Sequence, residues 1–200
     1  MTVQGALNPV ERPQAMLHAL RDATRQAHQV LEDRLDLLSA AQSPMRLGQV
    51  LARFERFHRD WEPRIEALIG RPTLLVPRRR LTLLLADLAA LGVARDRDPG
   101  PDLSWLDGPD AAWGSLYVLE GSTLGGQVIA KALTTESGRS ASDLSYFIGR
   151  GPRTAAFWRE TTEAIEAYAP VGDRDQILAG AMRTFEMLPD WLAPAVSAAV

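Results

Sequence analysis

The sequence predicts an all-α protein, a single-domain multi-helix bundle. Three observations predict it. Apolar residues recur at spacings of three and four along most of the chain, prolines and glycines fall between those stretches, and no segment alternates as a strand does. With 200 residues, 46% of them hydrophobic and 24% charged, the chain is long enough for one substantial core. No internal repeat divides it, so residues 14–200 are taken as one helical domain behind a flexible tail at 1–13, where the periodicity is absent.

The elements follow in order. From about Gln14, the residues Leu17, Leu20, Thr24, Ala27, Leu31, Leu35 and Leu38 share one helical face. Ser43 before Pro44 marks the N-cap and first turn of a second helix, about Pro44 to Leu68, which Pro63 is expected to kink or divide. A third runs from about Arg78 to Leu91 and stops at Gly92. A fourth starts near Pro109 and ends in "TTESGRSASD", and a short element covers "DLSYFIG". A fifth spans about Pro152 to Tyr168. A sixth starts near Asp173, carries Ile177, Ala181, Phe185 and Leu188, and is expected to end at Pro189.

Composition removes several function classes. A net charge of −3 gives no general field for nucleic acid. The absence of cysteine excludes disulfides, thiolate metal sites and cysteine nucleophiles, and with the last a thiaminase-type hydrolase. No signal-peptide pattern opens the chain and no apolar run approaches membrane-spanning length. The expectation is a cytoplasmic protein without membrane or nucleic-acid partners.

Three histidines occur, His18, His28 and His58. His28 falls within the apolar stripe of the first helix and is expected to point inward, with Glu32 one turn on. Two readings fit: a core histidine bonded to a carboxylate, or an axial ligand to haem iron with Glu32 on its second nitrogen. Arg21 and Arg25 flank the same face, either as solvated side chains or as partners for propionates. His18 is expected to be exposed. His58 ends "ERFH", but one E-x-x-H motif does not make a di-iron site, and Glu55 is expected to point away from the stripe.

The fourth helix carries "LEGSTLGGQVI", with Gly121, Gly125 and Gly126 inside a helical pattern. Each costs ~1 kcal/mol against alanine. Close helix packing explains them, and so does a ligand lying on bare backbone beside Ser122 and Thr123. A phosphate loop would follow a strand, and helix flanks this segment on both sides.

Together, "LRDATRQAHQVLEDRLDLL" (residues 20–38) and "WGSLYVLEGSTLGGQVIAKAL" (residues 113–133) resemble the haem oxygenase family, in particular its bacterial, bacteriophytochrome-associated branch. The resemblance implies a haem-oxygenase-like bundle with haem between a proximal helix and a kinked, glycine-rich distal helix. It implies His28 as iron ligand, Glu32 as its support, and Arg21, Arg25, Tyr117 and, by a looser alignment, Arg159 near the propionates. Gly121, Ser122, Gly125 and Gly126 match the distal helix, and Thr123 and Phe185 complete the expected haem contacts. Ser122 stands where some relatives carry an aspartate, which puts water rather than a carboxylate in charge of the distal protons.

The implied reaction opens haem, at once substrate and cofactor, to biliverdin, CO and iron with O2 and external electrons. No flavin or nicotinamide motif is present, so a ferredoxin or flavoprotein reductase is the expected donor, and a bacteriophytochrome a candidate recipient of biliverdin. The competing classes are a haem carrier or sensor that leaves the ring intact and a haem-free helical interaction protein.

Overall fold

The computed structural model describes residues 15–95, 97–136, 138 and 140–197, and the expected tail at 1–13 lies outside them. Among the described residues there are nine α-helices, short 3-10 turns and no strand. They are α1 (Ala15–Arg34), α2 (Leu37–Gln42), α3 (Pro44–Ile69), α4 (Pro72–Leu75), α5 (Leu81–Ala90), α6 (Pro109–Glu136), α7 (Ser145–Ile148), α8 (Thr154–Tyr168) and α9 (Arg174–Ser197).

Local chemistry sets several boundaries. The Ser43 hydroxyl accepts from the Arg46 N–H at the start of α3, and α3 ends on Gly70 in the left-handed region at φ 65°. The face expected to run unbroken to Leu38 is interrupted after Arg34. Asp36 accepts from the Ser39 N–H at 2.9 Å and caps a new helix, which ends the first. The helix expected from Arg78 begins at Leu81, after a 3-10 turn over Val76–Arg78.

Pro63 does not divide its helix, and Pro189 does not end the last one. α3 continues through Pro63, and α9 continues through Pro189 and Pro194. Proline removes one ladder bond, but packing on both sides compensates. Trp61, Glu62 and Ile65 are buried around Pro63. Beyond Pro189, Leu192 and Ala195 are buried, the Trp191 indole donates to the Arg53 carbonyl at 3.0 Å, and Arg53 donates back to the Trp191 carbonyl at 2.7 Å.

The core is built around the crossing of α6 and α9. A Cβ on Gly114 would overlap the Ile177 carbonyl, and one on Gly180 would overlap the Ala111 carbonyl. Two bare backbones therefore meet, and close approach takes the place of side-chain packing. Above this crossing Ser115 accepts from the Trp61 indole at 2.8 Å and meets the Thr184 hydroxyl at 2.9 Å, joining α3, α6 and α9. α9 also packs along α1, so α1 and α6 both rest on one helix. None of the helices is long and apolar enough to cross a membrane.

Opposite stability changes are expected at two glycines of α6. Gly114→Ala should destabilise by ~3 kcal/mol or more, the overpacking of a rigid backbone contact. Gly125→Ala, whose Cβ meets nothing within 4 Å, should stabilise the haem-free protein by ~0.5–1 kcal/mol. Urea unfolding of both variants checks the pair.

Candidate functional site

A cleft of about 550 Å³ opens between α1 and α6, floored by α9 and flanked by α8. α1 contributes Arg21, Thr24, Arg25, His28, Gln29 and Leu31. α6 contributes Tyr117, Val118, Gly121, Ser122 and Leu124, α9 Phe185 and Leu188, and α8 Trp158. The volume and the mainly apolar lining with a few polar groups are those of a small-molecule site.

His28 is not in the core. Its side chain is 55% exposed and borders the cleft, with its ring edge-on to Phe185 at a centroid distance of 5.6 Å. The helical wheel placed it on the correct face. That face, however, looks into open space at this level rather than onto another helix. Glu32 sits 3.6 Å from Nδ1, beyond hydrogen-bond range but close enough to attract a positive ring. Arg21 and Arg25 stand at the rim, where Arg25 pairs with Asp22 at 2.6 Å. Tyr117 lines the facing wall. Burial raises its pKa, while hydrogen bonding with Thr24 and the charge of Arg21 act to lower it.

The three glycines of α6 separate into distinct roles. α6 runs as one continuous helix through them, and none has a positive φ. Gly126 is a packing glycine: its Cβ would come within 3.0 Å of the Phe147 carbonyl. Gly121 lines the cleft beside the Trp158 ring, with ordinary contact distances of 3.5 Å. Gly125 is exposed and faces open space, so helix packing does not account for it.

Two expected contacts fall elsewhere. Thr123 is buried on the opposite side of α6, its hydroxyl donating to the Glu120 carbonyl at 2.5 Å. Arg159 is exposed, faces Glu163 at 3.9 Å, and is absent from the cleft wall. α8 buries Thr154, Phe157, Thr161 and Ile165, which turns Trp158 to the cleft and Arg159 away. That period was present in the sequence, and it identifies Trp158 as the residue the sequence reading missed.

Behind α6 lies a second polar layer. His58 is fully buried, and its Nδ1 bonds Glu62 at 3.0 Å while Nε2 bonds the Tyr146 hydroxyl at 3.2 Å. Glu62 also accepts from the backbone N–H groups of Arg80, at 2.7 Å, and Leu81, at 3.0 Å. Burial pushes the His58 pKa down, so the ring is neutral, with Nδ1–H donating to Glu62 and Nε2 accepting from Tyr146. Burial alone would raise Glu62, but its hydrogen bonds bring it below the usual range. Tyr146 is pushed up to about 12 by burial. Glu55, expected to face away, is 2% exposed and pairs with Arg95 at 3.0 Å and Arg59 at 3.5 Å. Among the described residues no group of three or more histidines and carboxylates is placed to hold a metal ion.

An all-helical protein with a histidine-bearing cleft between two long helices is the class that fold and site define. No protein-family model matches the chain. A protein of Xanthomonas campestris pv. campestris (strain 8004) described as "Heme oxygenase" is 34% identical over 152 residues, covering 76% of this chain and 87% of the relative. The chain belongs to the haem oxygenase family.

The buried layer predicts an acid-side loss of stability. His58 has a folded pKa below its ordinary 6.5, so the unfolded chain binds the extra proton as pH falls through that value. Glu62, with a folded pKa below 4.5, adds a further loss beneath that pH. Between pH 7 and pH 5 His58 should account for up to about 2 kcal/mol. Urea midpoints at the two pH values check this, and His58→Gln should flatten the difference.

Proposed function

We propose that the chain is a haem oxygenase that opens haem oxidatively to biliverdin, CO and iron, with O2 and externally supplied electrons. The observation that carries this is the placement of His28 on α1 opposite Gly121 and Ser122 of α6 across one cleft, in a chain with a haem oxygenase relative. The residues suit a flat apolar ring with acidic edges. Leu31, Val118, Leu124, Phe185 and Leu188 supply apolar surface, and Arg21, Arg25 and Tyr117 supply partners for carboxylates at the rim.

Haem, when bound, supplies the iron and the ring on which the oxygen chemistry takes place. The residues of the chain do the rest. His28 would hold the iron through a ring nitrogen, and Glu32, 3.6 Å from Nδ1, would orient that ring. Gly121 lines the facing wall without a side chain, and Gly125, one turn on, adds none beyond it. Ser122 offers a hydroxyl oxygen to ordered water, the proton carrier where no carboxylate lines that wall. Leu124 and Val128, exposed on the same side of α6, become covered when a ligand fills the cleft. Electrons come from a ferredoxin or flavoprotein reductase. By the resemblance to the phytochrome-associated branch, the product serves a bacteriophytochrome.

Mixing the protein with hemin and adding ascorbate or reduced ferredoxin in air should bleach the Soret band and release biliverdin and CO. A Soret band that persists without either product would make the protein a haem carrier instead. His28→Ala should weaken hemin binding by at least ten-fold and change the ferrous-CO spectrum; an unchanged spectrum would remove His28 as ligand. Gly125→Leu should cut turnover at least ten-fold while the circular-dichroism melt stays close to the parent.

A further inference from the structure

Arg80 lies immediately before α5, and it is 4% exposed. Its guanidinium reaches behind α6. Nη1 donates to the Leu119 carbonyl at 3.5 Å and to the Ser122 hydroxyl oxygen at 3.4 Å, and Nη2 donates to the Tyr146 carbonyl at 3.2 Å. The plane also covers the Tyr146 ring at 3.9 Å. All of these partners are neutral. Among the described residues no carboxylate oxygen lies within 4 Å of this guanidinium, whereas Arg78 beside it pairs with Glu120 at 3.3 Å and Glu160 at 3.1 Å. The Arg80 Nε–H has no partner. Next to it is a cavity of about 20 Å³, also bordered by His58, Glu62 and Glu120 and large enough for one water.

A buried cation without a counter-ion is costly unless something uses its field. Two carboxylates, Glu62 and Glu120, border the same cavity without bonding the Arg80 guanidinium. Glu62 spends one oxygen on the backbone N–H of Arg80 and on His58. Glu120 is bonded to Arg78, and it feels the charges of Arg80 and Arg150 as well. Ser122 lies between Arg80 and the cleft. Its hydroxyl hydrogen goes to the Leu119 carbonyl at 2.8 Å, so its oxygen is left to accept from Arg80 on one side and from the cleft on the other.

We propose that Arg80 is a positioning and electrostatic residue of the cleft: through Ser122 it fixes an acceptor oxygen on the α6 wall, and its charge, which no carboxylate pairs directly, favours anionic ligands there. The inference rests on the haem reading of the cleft and deepens it. Where some relatives place an acidic group on the wall itself, this chain places a hydroxyl with a cation behind it.

Azide and imidazole, one anionic and one neutral, are the probes. Their affinities for the hemin-loaded protein are measured by visible absorbance in the parent, Arg80→Gln, Arg80→Lys and Ser122→Ala. Arg80→Gln should weaken azide on the order of ten-fold, the effect of one charge at roughly 8–12 Å in an effective dielectric of about 20. Imidazole should change by less than about two-fold, and Arg80→Lys should keep most of the azide affinity. Ser122→Ala should weaken azide by about two- to five-fold, because the guanidinium loses its support. Azide affinity within two-fold of the parent in Arg80→Gln, or in Ser122→Ala should Arg80→Gln fail to fold, overturns the proposal. Failure of the parent to bind hemin overturns the haem reading first and this inference with it. Normal hemin binding with unaltered azide affinity overturns this inference alone.

Discussion

The contact on which the rest depends is the backbone-to-backbone crossing of α6 and α9. Gly114 and Gly180 remove the side chains that would hold the two helices apart, and Ile177 and Ala111 carbonyls occupy the space. α9 then lies close enough to α6 to pack along α1 as well, so it acts as a shared floor. Two helices resting on a third leave a gap between them, and that gap is the cleft. His28, Tyr117, Ser122 and Phe185 face one another because of this geometry, with the His28–Phe185 ring contact added to it.

The two faces of α6 carry different chemistry. Toward the cleft it presents Gly121, Ser122 and Leu124, small or apolar groups open to whatever fills the space. Away from the cleft it presents Leu116, Leu119, Glu120 and Thr123, all buried. Behind that buried face the chain concentrates its interior polar groups: His58, Glu62, Arg78, Arg80 and Tyr146. Nearly every donor and acceptor there has a partner, which fixes α3, α5, α6 and α7 against one another. Asp87 extends the layer by accepting the backbone N–H groups of Ser145 and Tyr146, each at 2.8 Å.

Placing interior polarity against a ligand wall couples rigidity to function. A helix carrying three glycines in six residues has little side-chain packing of its own to hold it straight. Gly126 is clamped on Phe147, and Gln127 bonds the Gly151 carbonyl at 2.7 Å and Thr154 at 2.9 Å. Arg80 supports the turn at Leu119–Ser122 from behind. The glycines are therefore tolerated because neighbouring elements supply the order that their own side chains would have supplied.

The sequence by itself determined the helical class and most helix starts. Those follow from local rules: a 3.6-residue period, the Ser43–Pro44 start and the glycine stops. It also put His28 on the inward face of α1, with a core role and a ligand role both open. Tertiary structure decided what local rules cannot. α9 passes Pro189 because Leu192, Ala195 and Trp191 are anchored on α3 and the core. The three glycines of α6 divide into one packing position, one cleft position and one in open space only once Phe147 and Trp158 are in place. Trp158 replaces Arg159 because α8 turns its buried period inward. Arg80 meets Ser122 across 42 residues of chain, a distance in sequence over which no period or motif carries information.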